Sequence, residues 1–378
     1  MPVPSAWIGA NAPEMAAAAE RDLEALVAIS SPSADLAASE QIVTVAAAMA
    51  PADAQVERLP CSTPEHAADL LVTVRGGGER RILLVGHLDT VVSHGDHIPA
   101  CRSGNHLIGS GTYDMKGGDA IALALLRALA GHPRLAEASL LLVNDEEWRT
   151  GPFGHVARFE GFDACLCFEG GQRTEGGDDA VVVRRKAAGA LRIVAKGRAA
   201  HSGAAPEAGA NALLALAEVA QVIDRCSDPE GPDRLTAVPT IVSAGEALNV
   251  VPPYGELVCD LRADRESAFD VVQGSIPARV GEVEVEVLRD REWPGMDSRE
   301  ACAPVLEAAS GLLGRPVVAA ERGGASDASH FASSIPVTID GLGPCGGHAH
   351  HPDEYVEIPL LGRCEVALAV AEAVLESP

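Results

Sequence analysis

The 378-residue chain is poor in aromatic residues and in basic charge, and each shortage excludes a class of protein. Phe, Trp and Tyr make up 3% of the residues whereas 47% are hydrophobic, so the core must be packed from Ala, Val, Leu and Ile, as in ordinary α/β proteins. Lys and Arg number 29 against 54 Asp and Glu, which gives a net charge of −25. Because this charge repels nucleic-acid phosphates and anionic lipids, we expect neither nucleic acid nor a membrane as a partner.

The sequence also lacks a long apolar run and a disulfide pattern. Its apolar stretches are shorter than the ~20 residues of a membrane span, and residues 1–26 lack the basic start and apolar segment of a secretory signal. The nine cysteines are an odd number without a Cys-x-x-Cys pair, so we expect reduced thiols. These features together predict a cytoplasmic protein.

The alternation of strands and helices predicts the fold. Residues 70–74 and 81–85 are predicted strands around a glycine turn, and further buried strands are predicted at residues 140–143, 164–168 and 337–339. Such strands between helices favour an α/β fold, with a mostly parallel sheet covered by helices on both faces. From about residue 180 the order β-β-α-β-β-α-β, beginning with a strand at residues 181–183, indicates an open-faced α+β module. We therefore predict one domain from residues 1–179 and 293–378, with residues 180–292 inserted into it.

Potential metal ligands follow several of the predicted strands. Four segments supply imidazole or carboxylate side chains, namely His87, Asp89, Asp114, Glu146, Glu147 and Glu169. Each residue alone has an ordinary explanation, such as a helix N-cap or a solvated acidic turn. All four segments, however, lie at the carboxyl ends of strands or at the helix that follows, where open α/β sheets place their ligands. The combination predicts a site for two divalent ions and an activated water.

Local spacing indicates different roles for these side chains. Asp89 lies two residues after His87 on the same side of an extended chain, so it can hold the second imidazole nitrogen. Glu146 and Glu147 are adjacent and point to opposite sides as they leave their strand. One can therefore bind a metal while the other acts on the bound water.

Six motifs are spread over nearly the whole chain, namely Gly86-His-Leu-Asp, Tyr113-Asp-Met-Lys-Gly-Gly, Asp145-Glu-Glu, Phe168-Glu, Lys196-Gly-Arg-Ala-Ala-His-Ser-Gly with Pro206-Glu-x-Gly-x-Asn211, and Ala349-His-His-Pro-Asp-Glu-Tyr. They resemble the motifs of the M20 metallopeptidase family and occur in the family order. The glutamate carboxypeptidase branch is the most similar, with acetylornithine deacetylases and succinyl-diaminopimelate desuccinylases as further relatives. After Glu147 the run Trp-Arg-Thr-Gly-Pro-Phe departs from the small residues common in the family, so Trp148 is expected to reshape the acyl pocket.

The resemblance implies a dinuclear metal site. Two divalent ions, expected to be Zn²⁺ with Co²⁺ or Mn²⁺ as alternatives, would be held by His87, Asp114, Glu147, Glu169 and His350. Asp114 would bridge both ions, and the peptide bond after it is cis in relatives. Glu146 matches the general base. His350 is preferred over the neighbouring His351 as the last ligand because the family ligand precedes the glutamate of the Pro-Asp-Glu run by four residues.

The resemblance also assigns roles in the inserted domain, which would serve as a lid and dimerisation domain. His201 would polarise the scissile carbonyl in the partner's site of a homodimer, as an oxyanion donor does. Asn249, Arg262 and Arg291 are candidates for binding polar groups of the substrate, since a guanidinium suits a carboxylate. For both arginines a surface salt bridge remains the alternative.

The expected activity is hydrolysis of the amide bond of an N-acyl amino acid or small peptide with a free carboxylate. An N-acetyl or N-succinyl amino-acid deacylase of a biosynthetic pathway is the alternative. A catalytically silent protein that binds metal or amino acids is the alternative from another class, but a binder has no use for Glu146 as a base. The run Gly341-x-Gly-x-x-Gly346 leads into histidines rather than a helix, which argues against dinucleotide binding.

Overall fold

The computed structural model describes residues 4–149 and 151–377, and the chain divides into two compact units. The first unit consists of Met1–Arg184, Asp297–Glu321 and Ser326–Pro378, and the second of Arg185–Met296 and Arg322–Ala325. Each unit has a hydrophobic core of its own.

A six-stranded sheet forms the centre of the first unit. Its strands, in spatial order, are Gln55–Leu59, Asp69–Arg75, Leu135–Val143, Arg80–His87, Ala164–Cys167 and Val337–Ile339. The last four are parallel, whereas the first two pair antiparallel at one edge. Side chains such as Leu84, Leu140 and Leu166 are fully buried, as expected where helices cover both faces of a sheet. The predicted α/β class with a mostly parallel sheet is confirmed.

In the described part of the first unit five long helices surround this sheet, and two of them begin at side-chain caps. The helices are Ala6–Val27, Leu36–Ala48, Gly117–Leu129, Arg299–Leu313 and Leu361–Glu376. Ser5 accepts the N–H of Ile8 and Asp35 accepts that of Ala38, which satisfies N–H groups in the first turns of their helices. Shorter helical turns occur at Thr112–Lys116, Val156–Phe159 and Ala328–Phe331. Among the described residues, helices long and apolar enough to cross a membrane are absent.

Two small sheets complete the first unit. One pairs Cys101–Ser103, His106–Ile108, Tyr355–Glu357 and Gly346–Gly347, and so holds the histidine-rich segment near the C-terminus beside the loop that leads to Asp114. The other contains Asp179–Arg185 next to Val317–Arg322. The predicted strand at residues 181–183 therefore belongs to this small sheet, and its assignment to the inserted module was wrong.

The second unit is an antiparallel sheet with helices on one face. Its strands are Thr236–Ala244, Tyr254–Ala263, Ala187–Lys196, Val283–Trp293 and Arg279–Val280, and its helices are Ala212–Asp224 and Phe269–Ser275, with 3-10 turns at Pro206–Ala208 and Glu266–Ala268. Side chains of the second strand alternate between buried and partly exposed positions along its length. This alternation is typical of a sheet with one covered face, and it agrees with the predicted open-faced α+β arrangement.

Candidate metal centre

The parallel strands bring three of the predicted site segments to one edge of the sheet. His87 is the last residue of its strand, Glu147 follows the neighbouring strand that ends at Val143, and Glu169 follows the strand that ends at Cys167. Asp114 lies in the turn that precedes the helix Gly117–Leu129. A Cβ at position 118 would overlap the Phe168 carbonyl oxygen, so only glycine lets this helix approach the strand so closely.

One group of potential ligands contains His87, Asp114 and Glu169. The Nε2 atom of His87 lies 3.1 Å from Asp114 Oδ1 and 3.9 Å from Glu169 Oε1. The potential ligand atoms of the three side chains lie within 4.8 Å of one another. One imidazole and two carboxylates are a suitable donor set for a zinc-like ion.

A second group contains Asp114 again, now with Glu147 and His350. The Nε2 atom of His350 lies 3.1 Å from Asp114 Oδ2 and 2.9 Å from Glu147 Oε1. The two oxygens of Asp114 therefore face different imidazoles, which is the arrangement of a carboxylate that bridges two ions. The peptide bond between Asp114 and Met115 is cis, as the family resemblance implied.

His351, the alternative to His350, lies in a different group. Its Nδ1 atom is 3.7 Å from Asp353 Oδ2 and accepts the backbone N–H of Asp353. With His348 these two residues form a third cluster of possible ligands, but all three are exposed.

Asp89 connects His87 to the turn that carries the two adjacent glutamates. The Nδ1 atom of His87 donates to the Asp89 carbonyl oxygen at 3.0 Å and lies 3.4 Å from its carboxylate. Because Nδ1 carries the proton, the lone pair of Nε2 is available to a metal. The carboxylate of Asp89 also accepts the backbone N–H groups of Glu146 and Glu147, both at 3.2 Å. Asp89 therefore orients the first imidazole and fixes the glutamate turn.

The electrostatics of these groups favour a bound cation. Hydrogen bonds to Asp114 and Glu147 raise the pKa of His350 to about 10. Burial opposes the charged form of His87, yet Asp114 and Asp89 raise its pKa well above the ordinary value. Burial likewise disfavours the charged form of Asp114, but the two imidazoles hold its pKa below the usual range. The carboxylates thus attract positive charge to the positions where metals would bind.

Glu146 lies outside both ligand groups of the described chain. Burial raises its pKa well above the ordinary value, and neighbouring carboxylates such as Asp327 add to this effect. Its backbone N–H is held by the Asp89 carboxylate. A carboxylate that is held beside the potential ligands but not shared by them is suited to accept a proton.

Glu354 is a site residue that the sequence reasoning did not identify as functional. Its buried carboxylate accepts the backbone N–H groups of Gly111, Tyr113 and Asp114 at 2.9, 2.7 and 2.9 Å. Burial raises the pKa of Glu354 although these hydrogen bonds oppose the rise. It holds the loop that presents Asp114, and the only signal in the sequence is its place in the Pro-Asp-Glu run.

We expect Glu354→Gln to weaken metal binding by about 10- to 100-fold, because the amide keeps one acceptor oxygen but its NH₂ cannot accept the N–H of Gly111, which displaces the loop that presents Asp114. The free energy of unfolding should fall by about 1–3 kcal/mol, because a buried polar group is left without a hydrogen-bond partner. Metal titration and thermal unfolding measure the two effects. Glu357→Gln, at an exposed ion pair with Arg173, is the control, and equal metal affinity in both variants would contradict the expectation.

The predicted substrate residues all lie in the second unit. His201 is exposed, and its Nδ1 atom accepts the N–H groups of Gly203 and Ala204 at 3.1 and 3.2 Å, so Nε2 carries the proton. The carbonyl oxygen of Asn249, also exposed, accepts the N–H of Ser202 next to His201.

The two arginines that were predicted to bind substrate already have partners. Arg262 donates to both carboxylate oxygens of Asp260 at 2.9 and 3.0 Å, which matches the salt-bridge alternative. The guanidinium of Arg291 lies over the Trp293 ring, with its carbon 4.5 Å from the ring centre. A substrate carboxylate would have to compete with Asp260 for Arg262.

An α/β unit with two imidazoles and several carboxylates at its strand ends has the construction of a metal-dependent hydrolase. Comparisons with known proteins agree. Residues 83–377 match the model of peptidase family M20/M25/M40. Carboxypeptidase G2 of Pseudomonas sp. (strain RS-16) is 29% identical over 312 residues, which cover 77% of this chain and 72% of that protein. A succinyl-diaminopimelate desuccinylase of Rhizorhabdus wittichii is 28% identical, covering 78% of this chain and 82% of the relative.

Solved structures share the fold. The M20 family metallo-carboxypeptidase Sso-CP2 from Sulfolobus solfataricus aligns with a TM-score of 0.70 at 14% identity, covering 94% of this chain and 98% of that one. Aminopeptidase PepT from Bacillus cereus aligns with a TM-score of 0.75 at 19% identity, covering 95% and 98%. The chain belongs to the M20/M25/M40 peptidase family. It is a metallo-hydrolase that acts on acyl amino acids or peptides.

Proposed function

We propose that this enzyme hydrolyses the amide bond of an N-acyl amino acid or small peptide that has a free carboxylate. The observation that carries the proposal is the Asp114 carboxylate, whose oxygens each lie 3.1 Å from a different imidazole. Glu146, outside both ligand groups, supplies the base. Zn²⁺ is the proposed metal, with Co²⁺ or Mn²⁺ as alternatives, because imidazole and carboxylate donors suit all three. A cytoplasmic location stays a prediction.

The proposed roles follow the order of bond changes. Bound at the five ligand positions, two divalent ions supply the Lewis acidity that makes water nucleophilic near neutral pH and polarises an amide carbonyl. Glu146 accepts the proton of the attacking water and delivers it to the amide nitrogen as the C–N bond breaks. Asp89 keeps both His87 and the Glu146 turn in place during these steps. The products are a carboxylic acid and an amino acid.

His201 is proposed as the donor to the carbonyl oxygen. Its backbone contacts leave the proton on Nε2, and an N–H donor aimed at a developing oxyanion stabilises the transition state. The family resemblance implies that this histidine acts in the partner's site. We therefore propose that each active site of a homodimer uses His201 of the other subunit.

An exposed apolar surface of the second unit supports the dimer proposal. The strand Thr236–Ala244 is the last strand at one edge of its sheet. Ile241 and Val242 on this strand are each 63% exposed, and Leu214 on the helix Ala212–Asp224 is also 63% exposed. Unpaired edge strands and contiguous apolar side chains favour pairing with another chain. A second copy of this chain is the proposed occupant, with this edge as the dimer contact.

The test of the proposed activity is amine release from a panel of N-acyl amino acids and dipeptides. The panel should include N-acetyl, N-succinyl and N-aroyl derivatives of acidic, basic and apolar amino acids, each assayed with Zn²⁺, Co²⁺ or Mn²⁺ and after chelation. We expect turnover of at least one compound and its loss with chelator. Preference for N-succinyl or N-acetyl compounds would favour the biosynthetic deacylase, which the desuccinylase relatives support. Metal binding without turnover of any compound would favour the silent binding protein.

Mixed dimers test the shared site. We expect His201→Ala and Glu146→Gln subunits to be nearly inactive alone, but about a quarter of wild-type activity to return on co-expression in equal amounts, since half of the dimers are mixed and one of their two sites is intact. Activity assays on the purified mixture measure the recovery. If the mixture is no more active than the single variants, His201 acts in the site of its own subunit.

A further inference from the structure

A buried ion-pair network lies next to the turn that carries Glu146 and Glu147. The side chain of Arg149 is 1% exposed and donates to Asp145 Oδ1 from Nη2 and Nε at 2.9 and 3.2 Å. It also donates from Nη2 to Asp327 Oδ2 at 2.9 Å and from Nη1 to the other oxygen of Asp327. The Phe153 ring covers the guanidinium, 4.4 Å from its carbon. The arginine thus binds two carboxylates that are themselves buried.

The network joins the glutamate turn to two distant parts of the first unit. Asp145, which directly precedes Glu146, accepts the N–H and the hydroxyl of Thr63 at 2.9 and 2.7 Å through its second oxygen. Asp327 lies 178 residues from Arg149, at the start of the helix Ala328–Phe331. The position of the turn therefore depends on a guanidinium that spans both partners.

Stability alone is a poor explanation for such a cluster. Burial of charged groups costs several kcal/mol per ion, and well-packed apolar replacements are often as stable or more so. A guanidinium fork, by contrast, fixes two carboxylates in a defined geometry. We propose that Arg149 is a positioning residue for the hydrolytic reaction: its fork between Asp145 and Asp327 sets the place of the turn that carries the base and one metal ligand. This inference rests on the proposed function.

The Arg149 fork acts through position rather than through contact with substrate. Asp89 holds the N–H groups of the turn, and Arg149 holds the residue just before it. Together with Thr63, which binds the second oxygen of Asp145, these contacts fix the backbone from which the Glu146 carboxylate extends. Since a misplacement of about 1 Å can cost about 100-fold in rate, loss of one attachment should affect turnover far more than substrate binding.

The experiment compares Arg149→Lys, which keeps the charge but loses the fork, with Asp327→Asn, which keeps the shape and loses one charge. We expect kcat to fall about 100-fold in each, with KM within about threefold of wild type. Both variants should retain two metal ions, and the visible spectrum of the cobalt enzymes should differ from that of wild type because Glu147 moves. Arg127→Lys, whose partners are Asp22 and the Met49 carbonyl oxygen, is the control.

The outcomes separate this inference from the proposed function. If wild type is active and both variants keep kcat within about threefold while only the melting temperature falls, Arg149 is merely structural and the proposal is overturned. If Arg149→Lys does not fold, Asp327→Asn alone decides by the same criteria. If wild type turns over no compound of the panel, the proposed function fails, but the cobalt spectra still test the positioning role: unchanged spectra in both variants overturn it.

Discussion

Glu146→Gln is expected to lower kcat by about 10³- to 10⁴-fold while both metal ions remain bound. The amide has the size and shape of the carboxylate but cannot accept a proton from water. Glu146 belongs to neither ligand group, so metal content should not change. KM should also stay close to the wild-type value, because the lost interaction belongs to the transition state.

The control for this substitution is Glu137→Gln. Glu137 lies on the strand Leu135–Val143 that leads to the glutamate turn, and its side chain is 19% exposed beside Arg75 and Arg81. Steady-state kinetics on the best panel substrate and metal analysis by mass spectrometry complete the experiment. A Glu146→Gln enzyme with more than about a tenth of wild-type kcat would require another base. If the Glu146→Gln enzyme binds one ion fewer than wild type, Glu146 is itself a metal ligand.

The parallel part of the central sheet could be predicted because its strands are short apolar runs buried on both faces. Strand pairing was harder to predict. The strands Asp69–Arg75 and Arg80–His87 flank the expected glycine turn, yet they are not neighbours, because Leu135–Val143 lies between them. The Leu135–Val143 strand pairs parallel with one and antiparallel with the other. Local periodicity carries no information about such a distant partner.

Predicted metal ligands come together in the structure because each lies at the end of a strand or in a turn near the same edge of the sheet. The sequence did not reveal the buried groups that hold these ligands in place. Glu354 binds the Asp114 loop across 240 residues, and Arg149 meets Asp327 across 178. A single sequence shows that these residues are charged, but not that they are buried and paired. Arg262 is the opposite case, since Asp260 two residues earlier on the same strand face was a visible partner.

His350→Asn is expected to release one of the two metal ions and to lower kcat by about 10³-fold, whereas His351→Asn should keep both ions and stay within about tenfold of wild type. Asparagine is chosen because His350 has a φ of 66°, in the left-handed region that asparagine tolerates. The substitution therefore removes the imidazole ligand without adding backbone strain at this position.

The physical reason for the difference lies in what each imidazole faces. The Nε2 atom of His350 points at Asp114 and Glu147, so its removal leaves two carboxylates without a third donor for their ion. The Nδ1 atom of His351 instead accepts an N–H from its own loop, and the ring is grouped with His348 and Asp353 rather than with Asp114 and Glu147. Metal content per chain, measured alongside kcat, distinguishes the two histidines. If instead an ion is lost only from His351→Asn, then His351 is the ligand. In that case the loop of residues 348–353 must shift relative to Asp114 when metal binds.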